Sequence, residues 1–343
     1  MNRKRLIRFF SIALSLSLAL CIFGCSTEDP EKKTLSSLSK VADGIYIMDC
    51  YTDYKVDEYL KAEITDVAGF DTWMTKNLTK GVPTGTISDI GCSSFIVNGT
   101  DGEHLFGRNY DMKNGDSLII RTVPKDGYAS IGIVDLRHVN LGTYAEYDIN
   151  NVQDQPLLFA APWCICDGIN EKGLGTSVLE LDQQHVVIDT EKDDLLLYSA
   201  LRIILDTCAN IDEAVALLEK YDMYSPRNNS YHIFLTDTSG RSVIAEWNKD
   251  GKLVVIEDTA AANFPLYRDD KTLDYGHRYA KIHRRIDQVD SMTAEEAMGV
   301  LEAVNQGTRW SAVYDLDNFT VDVCFNADYS VTYTYSGKPV NSK

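Results

Sequence analysis

Gly91-Cys-Ser-Ser-Phe-Ile-Val-Asn-Gly-Thr-Asp-Gly-Glu-His-Leu-Phe-Gly-Arg-Asn-Tyr-Asp111 contains a segment, 94–107, that reads as a hairpin, with a cysteine two residues before it. Ser94 to Asn98 is an apolar strand-like run, Asp101-Gly102 is a turn, and His104 to Gly107 is a second strand. An antiparallel return would let Arg108 and Asp111, sixteen and nineteen residues after Cys92, sit beside that cysteine. An arginine there favours a thiolate. An aspartate there can hold an amine through a charge-assisted hydrogen bond. Taken singly, Cys92 reads as a buried thiol and the Arg108–Asp111 pair as a surface ion pair; together, at this spacing, they read as chemistry.

Outward from the hairpin, Lys80 to Gly91 reads as loop, rich in glycine and proline. Strand-like runs follow at Ser117–Val123, Ala129–Asp135, Gly175–Leu179 and His185–Ile188. Apolar residues at helical spacing predict a helix over Asp193–Cys208, with Cys208 in the core. A second helix, Ile211–Tyr221, opens at Asn210 with Glu213 three residues on. Strands return at Tyr231–Asp237, Ser242–Trp247 and Leu253–Ile256. Helices follow at Tyr275–Val289 and Ala294–Val304, the latter opened by Thr293 and Glu296. Ala312–Tyr335 alternates like a β-meander. Blocks of strands and blocks of helices make this an α+β chain.

The N-terminus is of another kind. Arg3, Lys4, Arg5 and Arg8 precede an apolar run from Phe9 to Gly24, the charged and apolar regions of a secretory signal over residues 1–24. The run is short for a membrane span. It ends in Ile22-Phe-Gly-Cys25, which resembles a bacterial lipobox, so Cys25 is expected to carry lipid and to anchor the protein outside the cytoplasm. Residues 25–40 then read as a polar tether, and 41–91 as a segment preceding the nucleophile. Loss of the four basic leader residues takes the net charge from −18 to −22. Such a surface repels phosphate backbones, so nucleic acid is not an expected partner.

Six cysteines remain after Cys25, at 50, 92, 164, 166, 208 and 324, and disulfide pairing cannot be read from their positions. No zinc spacing surrounds Cys164-Ile-Cys166, and the six histidines share no ligand spacing, so no metal is expected. G-x-S-x-G, H-E-x-x-H, P-loop and EF-hand patterns are missing from the sequence. Gly173-Leu-Gly175 begins a dinucleotide pattern without completing it, and no cofactor is implied.

The hairpin resembles the opening of the choloylglycine hydrolase family of linear amide C–N hydrolases, with Cys, strand, turn and Gly-Arg-Asn-x-Asp in order. Asp167-Gly-Ile-Asn-Glu-Lys-Gly-Leu-Gly175 is similar to the family's D-G-x-N-E-K-G-L segment, and Tyr231–Trp247 to its central hairpin. Ala261-Ala-Asn-Phe-Pro265 is similar to its T-N-x-P, and His277-Arg-Tyr279 to its S-R-F. The resemblance covers nearly all of 92–343. It implies the four-layer αββα sandwich of N-terminal-nucleophile hydrolases and hydrolysis of a small-molecule N-acyl amide. It also implies that Asn263 supplies an oxyanion-hole amide and that Arg278 adds positive charge at the site.

An amide carbonyl needs a nucleophile, a base for its proton, donors for the oxyanion and an acid for the leaving amine. If Cys92 becomes the first residue of a chain, its α-amine can take the thiol proton and later return it to the departing amine. Gly91, lacking a side chain, leaves its carbonyl open to the Cys92 thiol, so cleavage at Gly91–Cys92 is expected, as in the family branches that carry a pre-segment. One departure concerns substrate. Glu180 stands in register where bile salt hydrolases carry an active-site Asn, and an ionised carboxylate cannot donate to an oxyanion. This ranks N-acyl amino acids or ethanolamides first, penicillin V-like amides next and conjugated bile salts last. Acyl transfer remains open, as does a homo-oligomer. The rival from another class is a binding lipoprotein of the same fold without activity, which would not acylate at Cys92.

Overall fold

The computed structural model describes residues 29–84, 91–184, 190–225, 229–267 and 277–339. The expected leader over 1–24, Cys25 and the strand expected at His185–Ile188 lie outside them. Among the described residues two sheets dominate, one of nine strands and one of six. The small sheet runs Ala260–Ala262, Gly91–Asn98, His104–Asp111, Trp310–Asp315, Thr320–Phe325, Tyr333–Ser336, antiparallel throughout. In the large sheet, Ile165–Asn170, Gly175–Gln184, Asn229–Thr236 and Ser242–Trp247 are consecutive neighbours.

The period-2 alternation of the hairpin builds the layers. Along Gly91–Asn98, Cys92 and Ile96 join the core shared with the large sheet, while Phe95 and Val97 pack with Ile282, Ile286 and Leu301. Those three belong to helices His277–Ile286 and Ala294–Ala303, which cover the outer face of the small sheet. Helix Leu197–Thr207 covers the large sheet along Ile165–Asn170 and Gly175–Gln184. Between the sheets, Phe106 stacks on Phe234 with centroids 5.6 Å apart, and Ser94 Oγ lies 2.9 Å from Ser177 Oγ. Helix, sheet, sheet, helix is the αββα sandwich.

Several sequence boundaries shift. The helix expected over Asp193–Cys208 is a strand, Asp193–Leu196, followed by a helix, Leu197–Thr207. The strand pairs in parallel with Tyr221–Tyr224, and that tertiary pairing overrides the local helical stripe. Cys208 follows the helix end and is buried. Thr293 and Glu296 form the reciprocal capping box. At Asn210 the cap is present, but the Glu213 carboxylate accepts from the Ala209 N–H instead.

The largest correction concerns the tether. Pro30–Ser37 is a helix, with Asp29 accepting from the Glu31 N–H and Pro30 at its first position. Thr34 is buried, and its hydroxyl accepts from Tyr51 N at 2.9 Å. Ser39–Ala42 and Ile45–Cys50 then form one edge of the large sheet, the latter parallel to Ser117–Thr122. Further on, Tyr59 packs against Trp73, Phe70 and Trp163, with centroids 5.2, 6.0 and 4.5 Å away. Such aromatic pairs are worth about 0.5–1.5 kcal/mol each beyond area burial. Tyr54 donates to the buried Asp206, and Ser199 Oγ meets Tyr59 OH at 2.9 Å. Residues 29–84 are thus woven into the sandwich.

Candidate active site

Register places the site. Cys92 pairs across the hairpin with Tyr110, Ser94 with Arg108, and Gly91 with Asp111. Alternation therefore sends the side chains of Cys92 and Arg108 to one face, between the sheets, and Asp111 to the other. Asp111 meets the site at the strand's end, where the main-chain nitrogen of Cys92 lies.

On the inner face, Cys92 is fully buried, with Sγ 3.6 Å from the Val178 carbonyl oxygen. Burial pushes its thiol up to about 12, against the opposing pull of the Arg108 guanidinium. Arg108 is also fully buried. It donates through Nη2 to the Val178 carbonyl at 2.8 Å and through Nε to Asp167 at 3.3 Å. Burial works against its charge, but Cys92 and Asp167 raise its pKa overall. Asp167 is held from three sides, accepting also from Trp310 Nε1 at 3.0 Å and Tyr314 OH at 2.5 Å. Burial nonetheless raises its carboxyl above the ordinary value. In the sequence, Asp167 opens a family-like motif, but nothing there marks it as a partner of Arg108.

At the strand end, the Cys92 N–H donates to Asn263 Oδ1 at 2.6 Å. The same oxygen accepts from Arg278 Nη2 at 2.5 Å, while Arg278 Nη1 donates to Asp111 Oδ2 at 2.5 Å. Arg278 thus ties Asn263 to Asp111 with its planar fork. Thr308, which no sequence signal singles out, donates its hydroxyl to the other Asp111 oxygen. Burial raises the Asp111 carboxyl, with Arg278 and Thr308 opposing. A Cβ at Gly91 would lie 3.0 Å from the Asp111 carbonyl oxygen, so the glycine permits the close approach of the two strand ends.

All five residues expected at the site come together, though two contacts differ from expectation. Asn263 Nδ2 donates to the Glu180 main-chain carbonyl at 2.6 Å, so one of its amide hydrogens is committed there. Glu180 meets the site through that carbonyl, and its carboxylate accepts from Asn229. No cluster of potential metal ligands occurs among the described residues.

The model of the linear amide C-N hydrolases, choloylglycine hydrolase family, matches residues 92–309 and begins at the cysteine itself. The chain belongs to this family. Within it, the chain is 24% identical to the bile salt hydrolase/transferase of Clostridium perfringens over 63% of this chain and 65% of that protein. It is 32% identical to the penicillin V acylase of Pectobacterium atrosepticum over 32% of this chain and 31% of that one. The match thus spans less than two thirds of either curated relative. Among solved structures, a variant of the conjugated bile acid hydrolase from Clostridium perfringens superposes with a TM-score of 0.55 at 17% identity. That superposition covers 71% of this chain and 92% of the other. The likeness is one of fold, and the family is one of hydrolases acting on linear amides.

Proposed function

We propose that Cys92 cleaves linear N-acyl amides through a thioester, after the Gly91–Cys92 bond has been cut. The observation that carries this reading is the double engagement of Cys92. Its thiol lies beside Arg108, and its main-chain nitrogen is held 2.6 Å from Asn263 Oδ1 next to the Asp111–Arg278 pair. A peptide nitrogen has no basic lone pair, and a thiol pushed up to about 12 is scarcely ionised at neutral pH. Cutting the bond converts that nitrogen into an amine with an ordinary pKa of about 7.7–8.0.

The amine takes the thiol proton as sulfur attacks the acyl carbonyl. The resulting ammonium protonates the leaving amine as the C–N bond breaks, leaving a thioester. A water then gives its proton to the amine and attacks the thioester, the acid departs and the thiol is restored. Asp111 is suited to orient the ammonium. Glu180 adjoins the site through its main-chain carbonyl, and a negative charge on its carboxylate, which accepts from Asn229, would favour neutral or cationic leaving groups over anionic ones. A separate part of the proposal, supported by Arg3, Lys4, Arg5 and Arg8, the short apolar run and Ile22-Phe-Gly-Cys25, is a lipid on Cys25 that holds the protein at the outer face of a membrane.

An amide panel tests the proposal. Glycocholate, taurocholate, penicillin V and an N-acylethanolamine are offered to the wild type, Cys92→Ala and Glu180→Asn, with chain cleavage followed by mass spectrometry. Cys92→Ala should remain one chain and show no turnover of any substrate. Wild type should be cut before Cys92 and prefer the N-acylethanolamine, with Glu180→Asn shifting preference toward taurocholate. A fully active protein in one uncut chain would overturn the mechanism. An unshifted preference would overturn the role of Glu180.

A further inference from the structure

Asn263 sits in a short turn after Ala260–Ala262, the edge strand of the small sheet; Cys92, Arg278 and the Glu180 carbonyl grip its amide, and the position of the turn decides whether those contacts can form. What holds the far end of that turn lies in the other, large sheet. Glu246, on strand Ser242–Trp247, is fully buried between the sheets. One carboxylate oxygen accepts from Leu266 N at 2.8 Å and the other from Tyr267 N at 2.9 Å. The first also lies 2.8 Å from Nδ1 of His232, which is equally buried on the neighbouring strand and pairs with Glu246 in register.

Between Asn263 and these two anchored amides stand Phe264 and Pro265. The Phe264 N–H closes a tight turn onto the Ala262 carbonyl at 2.8 Å, and the proline ring fixes its own φ. The segment 262–267 is therefore a short rigid strap. One end is bound to the small sheet through strand pairing with Ser93–Phe95, the other to the large sheet through Glu246. Asn263 lies between the anchors and spans to the Glu180 carbonyl.

We infer that Glu246, backed by His232, is a positioning residue for Asn263, acting through the main-chain N–H groups of Leu266 and Tyr267. A carboxylate suits the task because both oxygens accept. A glutamine offers one acceptor and turns a donor against a main-chain N–H, which forces the strap to move. Displacing a reacting-site group by about 1 Å can cost on the order of 100-fold in rate. This inference rests on the proposed role of Asn263, and the test separates the two.

The experiment is a double-variant cycle on the full chain with the best amide substrate, comparing Glu246→Gln, Asn263→Ala and the pair. Glu246→Gln should lower kcat about 10- to 100-fold with KM changed by less than about threefold. In the Asn263→Ala background the same change should cost less than about threefold, because the group it positions is gone. His232→Asn, which leaves the carboxylate in place, provides a milder arm should Glu246→Gln fail to fold. It should lower kcat by about threefold to tenfold and lose that effect in the same background. Losses that multiply in the double variants, or unchanged kcat in the single ones, would overturn the inference. Full activity of Asn263→Ala alone would remove the role of Asn263 itself, and the inference with it.

Discussion

On one side of Cys92 lie Arg108, Asp167, Trp310 and Tyr314, all buried between the two sheets. On the other lie Asp111, Arg278, Asn263 and Thr308, gathered at the ends of strands, with the Arg278 side chain 13% exposed. The dry side is a closed charge pair whose carboxylate has its hydrogen bonds filled from within the buried layer. The rim side is a chain of shared acceptors around a main-chain nitrogen that cleavage would turn into an amine. The difference separates two tasks. In the proposed mechanism the dry side would hold a permanent positive charge against the sulfur, whereas the rim would manage a proton that must come and go.

If that division is right, breaking the dry side should cost the fold first. Arg108→Met leaves the Asp167 carboxylate buried without its cation, and removing one partner of a buried pair typically costs about 3–5 kcal/mol. Denaturant unfolding of the variant should show a loss of that size alongside lost activity. Unfolding at the wild-type midpoint would mean that the pair has no structural share.

The rim should behave in the opposite way. Asp111→Asn keeps the shape that Thr308 and Arg278 grip but removes the charge that would orient an ammonium. We expect kcat/KM to fall about 100-fold while stability changes by about 1 kcal/mol. Steady-state kinetics and a denaturation curve on the same preparation check both halves. A stability loss as large as that of Arg108→Met would erase the distinction between the sides.

The smallest effect sharpens the comparison in time. Gly91→Ala presses a methyl group on the Asp111 backbone at 3.0 Å, a strain of about 1 kcal/mol. Cutting before Cys92 should slow about fivefold. Turnover per cut chain should match wild type, because residue 91 is no longer attached. In the uncut fraction, Cys92 should resist alkylation at pH 8 and react only as pH approaches about 12. For a thiol raised above its ordinary value, the proton is held through that window and reactivity rises with pH. Gel separation of cut and uncut chains, with mass-spectrometric labelling, gives both readings.

The hairpin corner is legible in the sequence because its parts are local. Cys92, Arg108 and Asp111 lie within twenty residues, and a two-strand register follows from one turn and an alternating pattern. Asn263 and Arg278 are legible only by family resemblance, since nothing in their local pattern points to Cys92. Asp167 stays mute because its other partners, Trp310 and Tyr314, are more than 140 residues away. Thr308 is an ordinary threonine until the Asp111 carboxylate is placed beside it.

The residues before Cys92 mislead for a related reason. A polar run after a leader looks like a tether, and parallel pairing of Ile45–Cys50 with Ser117–Thr122 leaves no turn signal between the strands. By itself the sequence determined the mix of strand and helix blocks, the hairpin, and the placing of Arg108 and Asp111 on the strand that returns beside Cys92. Those depend on periodicity and short-range register, which the chain carries locally. Tertiary structure alone decided that Glu246 holds the Leu266 and Tyr267 N–H groups beyond Asn263, that Glu180 meets the site through its main-chain carbonyl, and that residues 29–84 are part of the sandwich. Each depends on which distant strand ends are brought side by side, and that is settled by burial and pairing across the whole molecule.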